Sequence, residues 1–283
     1  MEHDSSALET EFGVPIPGRV LPESDWARTA IKRLPPPEEG PLDWAALFGR
    51  EAPIVLDLGC GNGRFTLLSA LNRPDHDHVA IDIVPAVVRY ATKRANQRGL
   101  HNVRVAVKDA QSFLRSYVPH ESVSEIHLYH PQPYHDPKEA RLRLVTPAVL
   151  KHIHRALKPG GLFVVQTDSP EYWEYMTRIL PSFFTVRPHP SPWPDAPEGR
   201  SRREILARSR GLPIFRAVCT RRDELRQGDI RELVQNLPRP DFVTQGPSAE
   251  LDALEAGEAG GGPRQGRPGP RRGRPPGRRR RPS

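Results

Sequence analysis

A chain of 283 residues is long enough for one α/β domain of about 200 residues with further segments at both ends. The formal charge of +8 lies entirely in residues 257–283, which hold nine arginines and one acidic residue, so the rest of the chain is neutral overall. Two cysteines provide no disulfide framework, and no apolar run approaches the ~20 residues that span a bilayer. Together with an acidic N-terminus that has no apolar signal region, these features predict a cytoplasmic protein without a membrane anchor.

Residues 1–52 are predicted to form a proline-rich extension with two short helices that dock on the main domain. The stretch SDWARTAIKRL has Ser24 as a candidate N-cap and places apolar side chains along one helical face. The second stretch, DWAALFG, begins at Asp43 and stops at Gly49. The prolines of PPPEEGP keep the segment between them extended.

Residues 53–222 show a regular alternation of strand and helix patterns. The strand-like runs are IVLDL, HVAIDIV, NVRVAVKD, EIHLYH and LFVVQTD, and the helical patterns include RFTLLSAL, PAVVRYATKRANQRG and TPAVLKHIHRALKPGG. Apolar strands that alternate with helices favour a parallel sheet covered on both faces. A further helix, PEYWEYMTRILP, precedes FFTVRP and IFRAVCTRR, which are predicted to close the sheet as an antiparallel pair.

The C-terminal part of the sequence changes in character. Residues 223–245 are predicted to form a weak helix. From Gly246 to Ser283 the chain has almost no aromatic or β-branched residues and ends in a low-complexity run of arginine, proline and glycine. Such a composition cannot offset its ordering entropy by burial, so residues 246–283 are expected to be disordered.

The run VLDLGCGNGRF, residues 55–65, is a strand that enters a glycine-rich turn. Gly59, Gly61 and Gly63 let the backbone turn sharply and approach a ligand before a helix begins. A dinucleotide-binding turn needs the pattern GxGxxG, and Arg64 stands where its third glycine would be. The turn therefore does not favour a nicotinamide or flavin cofactor.

Three acidic residues accompany this turn. Asp57 precedes the glycines, Asp82 ends the next strand, and Asp109 ends the one after that. Each alone is explained as a helix cap. Three of them at successive strand ends, beside a triple-glycine turn, favour a cofactor site.

The pattern acid-x-Gly-x-Gly-x-Gly resembles the first motif of class I S-adenosylmethionine-dependent methyltransferases. The resemblance implies an α/β, Rossmann-like fold with a seven-stranded, mostly parallel sheet and helices on both faces. It also implies S-adenosyl-L-methionine as the cofactor, held by the glycine turn. Asp57 would then face the ammonium group, Asp82 the two ribose hydroxyls and Asp109 the adenine amino group.

Four pieces of the chain resemble a narrower family, the tRNA (guanine-N7-)-methyltransferases. They are DLGCGNGRF, LYHPQPYHDPKEARLRLVTPAVLKHIHRALKPGG, QTDSPEYWEYM and SRREILARSRGLPIFRAVCTRR, which together span residues 53–222. This resemblance implies methyl transfer to N7 of a guanine in tRNA. The arginine-rich tail would then add salt-sensitive, non-specific affinity for RNA, unless it has no role.

The acceptor loop of that family carries Pro-Asp-Pro-Trp, where this chain has Pro131, Gln132, Pro133 and Tyr134. Gln132 thus replaces the catalytic aspartate, and Tyr134 provides the aromatic ring. Guanine N7 has an in-plane lone pair and no proton, so its methylation needs no general base. Because the amide of Gln132 accepts a hydrogen bond but supplies no charge, we expect retained but altered activity.

The same resemblance implies a set of substrate-binding side chains. Asp136 stands where the family has a lysine, and the basic cluster that follows is reduced to two arginines. Asp168 matches the aspartate of a Thr-Asp pair, and Glu204 the glutamate of a Thr-x-x-Glu motif in which Ser201 replaces threonine. The implied substrate-binding residues are His135, Asp136, Arg141, Arg143, Asp168, Ser201 and Glu204.

Alternative interpretations remain at this point. The segment HPQPY partly resembles the loop of amino-group methyltransferases, so the acceptor could be another nucleobase or a small molecule. Loss of the aspartate also fits a non-catalytic RNA-binding relative that retains the cofactor pocket. His127, His130 and His135 invite a metal site, but their spacing alternates between strand faces and continues into a loop, so no metal is predicted.

Overall fold

The computed structural model describes residues 9–244 and 246–252. The strands are β1 Thr10–Glu11, β2 Val14–Pro15, β3 Ile54–Leu58, β4 Asp77–Asp82, β5 Val103–Val107, β6 Val123–Tyr129, β7 Leu157–Thr167, β8 Phe184–Pro188 and β9 Phe215–Arg221. The α-helices are α1 Trp44–Phe48, α2 Arg64–Asn72, α3 Pro85–Gln97, α4 Ala110–Ser116, α5 Pro147–Ala156, α6 Pro170–Ile179, α7 Arg202–Ser209 and α8 Gln227–Asn236. Short 3-10 turns occupy Glu23–Asp25, Pro37–Glu39, Ala140–Leu142 and Leu180–Ser182.

Seven strands form one sheet in the order β5-β4-β3-β6-β7-β9-β8. The strands from β3 to β7 are parallel, and β9 pairs antiparallel with both β7 and β8. This is the seven-stranded, mostly parallel sheet predicted from the sequence. The chain winds outward in opposite directions from β3, so the carboxyl ends of β3 and β6 border a switch point, where ligands bind in open α/β sheets.

Helices cover both faces of the sheet, which explains why its strands are almost continuously apolar. On one face, Leu56 and Phe163 pack with Leu150 of α5 and Met176 of α6 in the largest buried cluster. On the other face, Leu67 of α2 belongs to a second cluster formed with α3 and the outer strands β4 and β5. The carboxyl edge of the sheet is therefore supported by packed helices on both faces.

The stretch SDWARTAIKRL does not form the helix predicted for it. Beyond the short 3-10 turn its chain runs extended beside β5, where Ala30 forms a bridge with Val105. The Ile31 N–H donates to the Val105 carbonyl at 2.8 Å, and the Val105 N–H donates to the Thr29 carbonyl at 2.8 Å. Since β5 is an edge strand with backbone groups to pair, tertiary pairing outweighs the helical pattern here. The second predicted helix is present as α1.

The C-terminal segment differs in part from the sequence expectation. Helix α8 lies within the weakly helical stretch. Residues 246–252, expected to be disordered, are mostly helical, and Leu251 packs against Leu206 of α7 with 1% of its surface exposed. Burial of this leucine helps to offset the ordering cost of the segment. Residues 253–283, the remainder of the predicted tail, lie outside the described residues.

Candidate functional site

A cavity of about 380 Å³ opens at the carboxyl edge of the sheet, around the switch point between β3 and β6. Its walls come from the glycine turn, the loops after β4, β6 and β7, the start of α7 and the C-terminal segment. Of the predicted site residues, the cavity brings together Asp57, Gly59, Gly61, Asp82, Gln132, Asp168 and Ser201. Those outside its lining are Gly63, Asp109, Tyr134, His135, Asp136, Arg141, Arg143 and Glu204.

The glycine turn leaves its backbone open to the cavity. Gly59 and Gly61 have φ angles of 71° and 53°, and a Cβ added at either would meet no atom within 4 Å. At Gly63 an added Cβ would lie 2.9 Å from the Cβ of Ala91 on α3. Two glycines thus form an open cradle for a ligand, and the third permits the close contact between α2 and α3.

The carboxylate of Asp82 is held at the end of β4 by backbone donors. One oxygen accepts from the Gly61 N–H at 2.9 Å, and the other accepts from the Val84 N–H at 2.9 Å. Each carboxylate oxygen has about two acceptor sites, so both oxygens retain one for a ligand. Asp82 can therefore accept two further hydrogen bonds at the cavity surface.

Asp57 is a buried carboxyl on the cavity wall. Its pKa is raised from 3.8 to about 7, chiefly by burial and also by the nearby carboxylate of Asp82, although the Thr66 hydroxyl, which donates to it at 2.6 Å, lowers the pKa. A cation placed beside this carboxyl would favour its ionised form. The position therefore suits the ammonium group of a ligand.

Asp109 acts as the N-cap of α4, because its carboxylate accepts from the Ser112 N–H at 2.7 Å. This placement matches the capping interpretation that the sequence left open. Nearby, Ile83 and Val84 after β4 and Val107 at the end of β5 are exposed apolar side chains. They provide an apolar surface on which a planar ring can pack.

The loop after β6 presents Gln132 to the cavity between two buried prolines, Pro131 and Pro133. His130 and Tyr134 on either side adopt left-handed backbone conformations, with φ of 51° and 50°, which are uncommon for residues other than glycine. The ring of Tyr134 is half-buried and lies outside the cavity lining. Gln132 is therefore the polar side chain that this proline-rich turn exposes to the cavity.

Arg143 is buried and ties this loop to the chain after α8. Its guanidinium donates to the carbonyls of Pro133 at 2.6 Å and Tyr134 at 3.1 Å on the loop. It also donates to the carbonyls of Pro240 at 2.9 Å and Phe242 at 2.8 Å, and stacks 3.7 Å above the Phe242 ring. These partners give Arg143 a structural role rather than a phosphate-binding one.

The remaining predicted loop residues are divided between exposed and paired positions. Asp136 and Arg141 are exposed. His135 is half-buried, with Nδ1 2.5 Å from the Thr244 hydroxyl and Nε2 2.5 Å from the Asp252 carboxylate. His135 thus joins the acceptor loop to the C-terminal segment.

Asp168, after β7, is buried on the acceptor side of the cavity. One oxygen lies 2.8 Å from His130 Nδ1, and the other accepts from Arg203 at 2.7 Å and from the Ser248 hydroxyl at 3.0 Å. Burial alone would raise the pKa of Asp168, but the hydrogen bond with His130 and the guanidinium of Arg203 hold it well below its usual range. Asp168 therefore remains ionised at neutral pH.

Glu204 is fully buried within α7 and faces β9 instead of the cavity. It pairs with Arg216 at 2.5 Å and accepts from the Arg200 N–H at 2.8 Å. Burial would raise its pKa, but the hydrogen bond from Arg216 lowers it. Ser201 is the N-cap of α7, accepting from the Glu204 N–H at 3.0 Å. Glu204 and Ser201, which the sequence predicted to bind substrate, thus stabilise α7, and the first turn of α7 lines the cavity.

The N-terminal hairpin β1–β2 lies outside the cavity lining but contacts the glycine turn, a connection that the sequence did not predict. Glu11 has 7% of its surface exposed, accepts from Arg94 of α3 at 2.8 Å and contacts the Asn62 side chain in the glycine turn. Arg64 donates to the Pro15 carbonyl at 2.9 Å. The short hairpin carries no sequence signal for this position, because these contacts depend on tertiary proximity.

The described ranges contain no group of three or more His, Cys, Asp or Glu side chains that could hold a metal ion. His127 is committed to the Tyr129 hydroxyl at 2.8 Å and to Glu125 at 2.9 Å. Within the same part of the chain, no helix has the length and apolar character needed to cross a membrane.

Residues 51–214 match the model of a family described as "Putative methyltransferase". The chain is 36% identical over 141 residues to the tRNA (guanine-N(7)-)-methyltransferase of Paracidovorax citrulli, covering 50% of this chain and 57% of that protein. It is 32% identical over 174 residues to the protein of the same name from Alcanivorax borkumensis, covering 58% of this chain and 71% of that protein. With the corresponding protein of Saccharophagus degradans the match covers 62%, so the shared region is less than two thirds of some relatives.

A solved structure of the 16S rRNA methyltransferase KamB resembles this chain with a TM-score of 0.51 and 17% sequence identity. The match covers 69% of this chain and 98% of that one. At this level of identity the likeness shows a shared fold alone.

Proposed function

We propose a function from the premise that this chain belongs to the tRNA (guanine-N7-)-methyltransferase family: it transfers a methyl group from S-adenosyl-L-methionine to N7 of a guanine in tRNA. The observation that carries the proposal is the single cavity shared by the open glycine turn, Asp82 and Gln132. One side of this cavity suits the cofactor, and the other suits a planar base.

The cofactor side fits S-adenosyl-L-methionine. The free acceptor sites of Asp82 match two vicinal ribose hydroxyls, and Asp57 matches the ammonium group. Gly59 and Gly61 leave room for the amino-acid portion, since no atom lies where their Cβ atoms would point. When bound, the cofactor supplies a methyl group activated by a sulfonium centre.

The acceptor side supports alignment rather than proton transfer. Guanine N7 is nucleophilic through its own lone pair, so no protein group has to remove a proton. Pro131 and Pro133 shape the slot, and the Gln132 carbonyl can accept one hydrogen bond from the base. The rate then depends on holding the base in line with the methyl group and excluding water.

The proposed partner is tRNA, bound by a catalytic domain formed by residues 53–222. Exposed Arg141 beside the acceptor loop is available to a phosphate group. The arginines of residues 257–283 would add sequence-independent affinity for the RNA backbone.

Chemical scission at N7-methylguanine tests this proposal. The protein is incubated with labelled S-adenosyl-L-methionine and unmodified tRNA, and the RNA is then treated with borohydride and aniline. Cleavage at one guanine is the expected result. Labelled RNA without scission would indicate another acceptor atom, and unlabelled RNA would indicate a binding protein without this activity.

A further inference from the structure

The cavity receives one carboxylate from outside the predicted catalytic domain. Asp252, near the end of the described chain, lines the same cavity as Gln132 and Asp168. Its segment follows the region matched by the family model, which ends at residue 214. The acceptor side of the cavity is therefore completed by a part of the chain that the sequence predicted to be a disordered tail.

Several contacts fix Asp252 in this position. One oxygen accepts from Arg203 at 2.6 Å, and the other lies 2.5 Å from His135 Nε2. The neighbouring Leu251 is buried against α7, and the Ser248 carbonyl accepts from Arg203 at 3.0 Å. The carboxylate is thus held between α7 and the acceptor loop.

The tautomer of His130 follows from its hydrogen bond with Gln166. The Gln166 Oε1 accepts from Trp193 Nε1 at 2.7 Å and from Arg216 Nε at 2.9 Å, both of which only donate. The Gln166 amide nitrogen therefore faces His130 Nε2 at 2.7 Å and donates to it. Hence His130 Nδ1 carries a hydrogen and donates it to Asp168.

The two acceptor-side carboxylates differ in their remaining capacity for hydrogen bonds. Asp168 accepts four, from His130, from two nitrogens of Arg203 and from Ser248. Three of these fall on Oδ2, which is filled, so only Oδ1, the oxygen that accepts from His130, retains a site. Asp252 accepts two from the described residues, one on each oxygen. Each oxygen of Asp252 therefore has capacity for a further donor.

We propose that Asp252 binds the donor edge of the acceptor guanine and supplies the negative charge that Gln132 lacks. This inference rests on the proposed function. Guanine presents two adjacent donors, N1–H and the N2 amino group, which match the two oxygens of one carboxylate. Adenine presents a donor beside an acceptor on the corresponding edge, so the same carboxylate discriminates against it.

The charge of Asp252 also suits the chemistry. As the bond from N7 to the methyl carbon forms and the bond from that carbon to sulfur breaks, positive charge moves onto the guanine ring while its protons stay in place. That charge makes N1–H a stronger donor, so its hydrogen bond to a carboxylate strengthens toward the transition state. An interaction that is stronger in the transition state than in the bound substrate lowers the barrier to methyl transfer. Asp252 would therefore do more than position the base.

The test replaces guanine by inosine, which lacks the N2 amino group and keeps N1–H and N7. Two otherwise identical RNAs carry guanine or inosine at the position mapped by scission, and kcat/KM is measured for both. In the wild-type protein we expect a preference for guanine of about ten- to hundredfold, the usual effect of a hydrogen bond to a charged group. In Asp252→Ala the preference should fall by about tenfold or more.

The ratio of the two RNAs is taken within one protein, so a loss of folded protein cancels. Glu250→Gln is the matched control, because Glu250 is an exposed acid in the same segment and its loss should leave the ratio unchanged. If the wild type is active and the ratio is unchanged in Asp252→Ala, the proposed role of Asp252 is overturned, while the proposed function stands. Failure of the wild type to form N7-methylguanine would overturn both this role and the proposed function.

Discussion

At the scale of single residues, Asp57 shows how the cofactor side of the cavity is prepared for a cation. Its pKa of about 7 exceeds the ordinary value of 3.8 because the carboxyl is buried. Between these two pH values the unfolded chain has lost this proton and the folded chain still holds it. The free energy of unfolding therefore falls as pH rises through this range, as far as Asp57 contributes to it.

We predict that Asp57→Asn makes the cofactor-free protein more stable than the wild type at about pH 8, because no buried charge has to form. Near pH 4 the two proteins should be equally stable. Urea unfolding at both pH values measures the difference. Equal stability of the two proteins at high pH would contradict the account, as would a variant less stable there than the wild type.

The residues of the cofactor side could be predicted from sequence because they form a contiguous motif. Gly59, Gly61 and Asp57 are adjacent in the chain, and Asp82 ends the neighbouring strand, so local pattern and parallel topology suffice to place them. Asp252 could not be predicted. Its partners His135 and Arg203 are far away in the sequence, and its own segment has the composition of a tail.

At the scale of elements, the acceptor loop after β6 is held by Arg143, which sequence reasoning assigned to the substrate. Arg143 is buried and has a structural role. The neighbouring Arg141 is exposed and remains a candidate phosphate contact. Both lie at the entrance to α5 and look alike in sequence. Tertiary contacts distinguish them, because the carbonyls of the loop and those of Pro240 and Phe242 converge on Arg143.

We predict that Arg143→Ala lowers the free energy of unfolding by about 2–4 kcal/mol, because four carbonyl groups, two of them in fully buried hydrogen bonds, lose their donor. Arg141→Ala should leave stability within about 0.5 kcal/mol of the wild type and raise KM for tRNA. Thermal unfolding and steady-state kinetics on the two variants provide the comparison. Equal stability of both variants would show that Arg143 does not hold the loop.

At the scale of the whole molecule, the sheet was predictable because each strand is a short apolar run separated by a helical pattern. The extended segment beside β5 was not, because SDWARTAIKRL has helical spacing and pairs with β5 only through tertiary contact. The net charge of +8 comes entirely from residues 257–283, because the charges of the other residues sum to zero.

We predict that deletion of residues 257–283 weakens tRNA binding at low salt and makes log K less dependent on log salt concentration, because fewer counterions are released. Affinity for S-adenosyl-L-methionine should not change, which provides the control. Binding titrations at several salt concentrations measure both quantities. An unchanged salt dependence would exclude a role for these arginines in RNA binding.

The central claim is tested most directly by nucleoside analysis of tRNA after incubation with the protein and cofactor. We predict that mass spectrometry detects N7-methylguanosine as the new methylated nucleoside, and that Asp82→Ala abolishes its formation. The exposed Asp75→Ala, matched in charge, should retain it. A different methylated nucleoside, or equal product from Asp82→Ala and the wild type, would contradict the account.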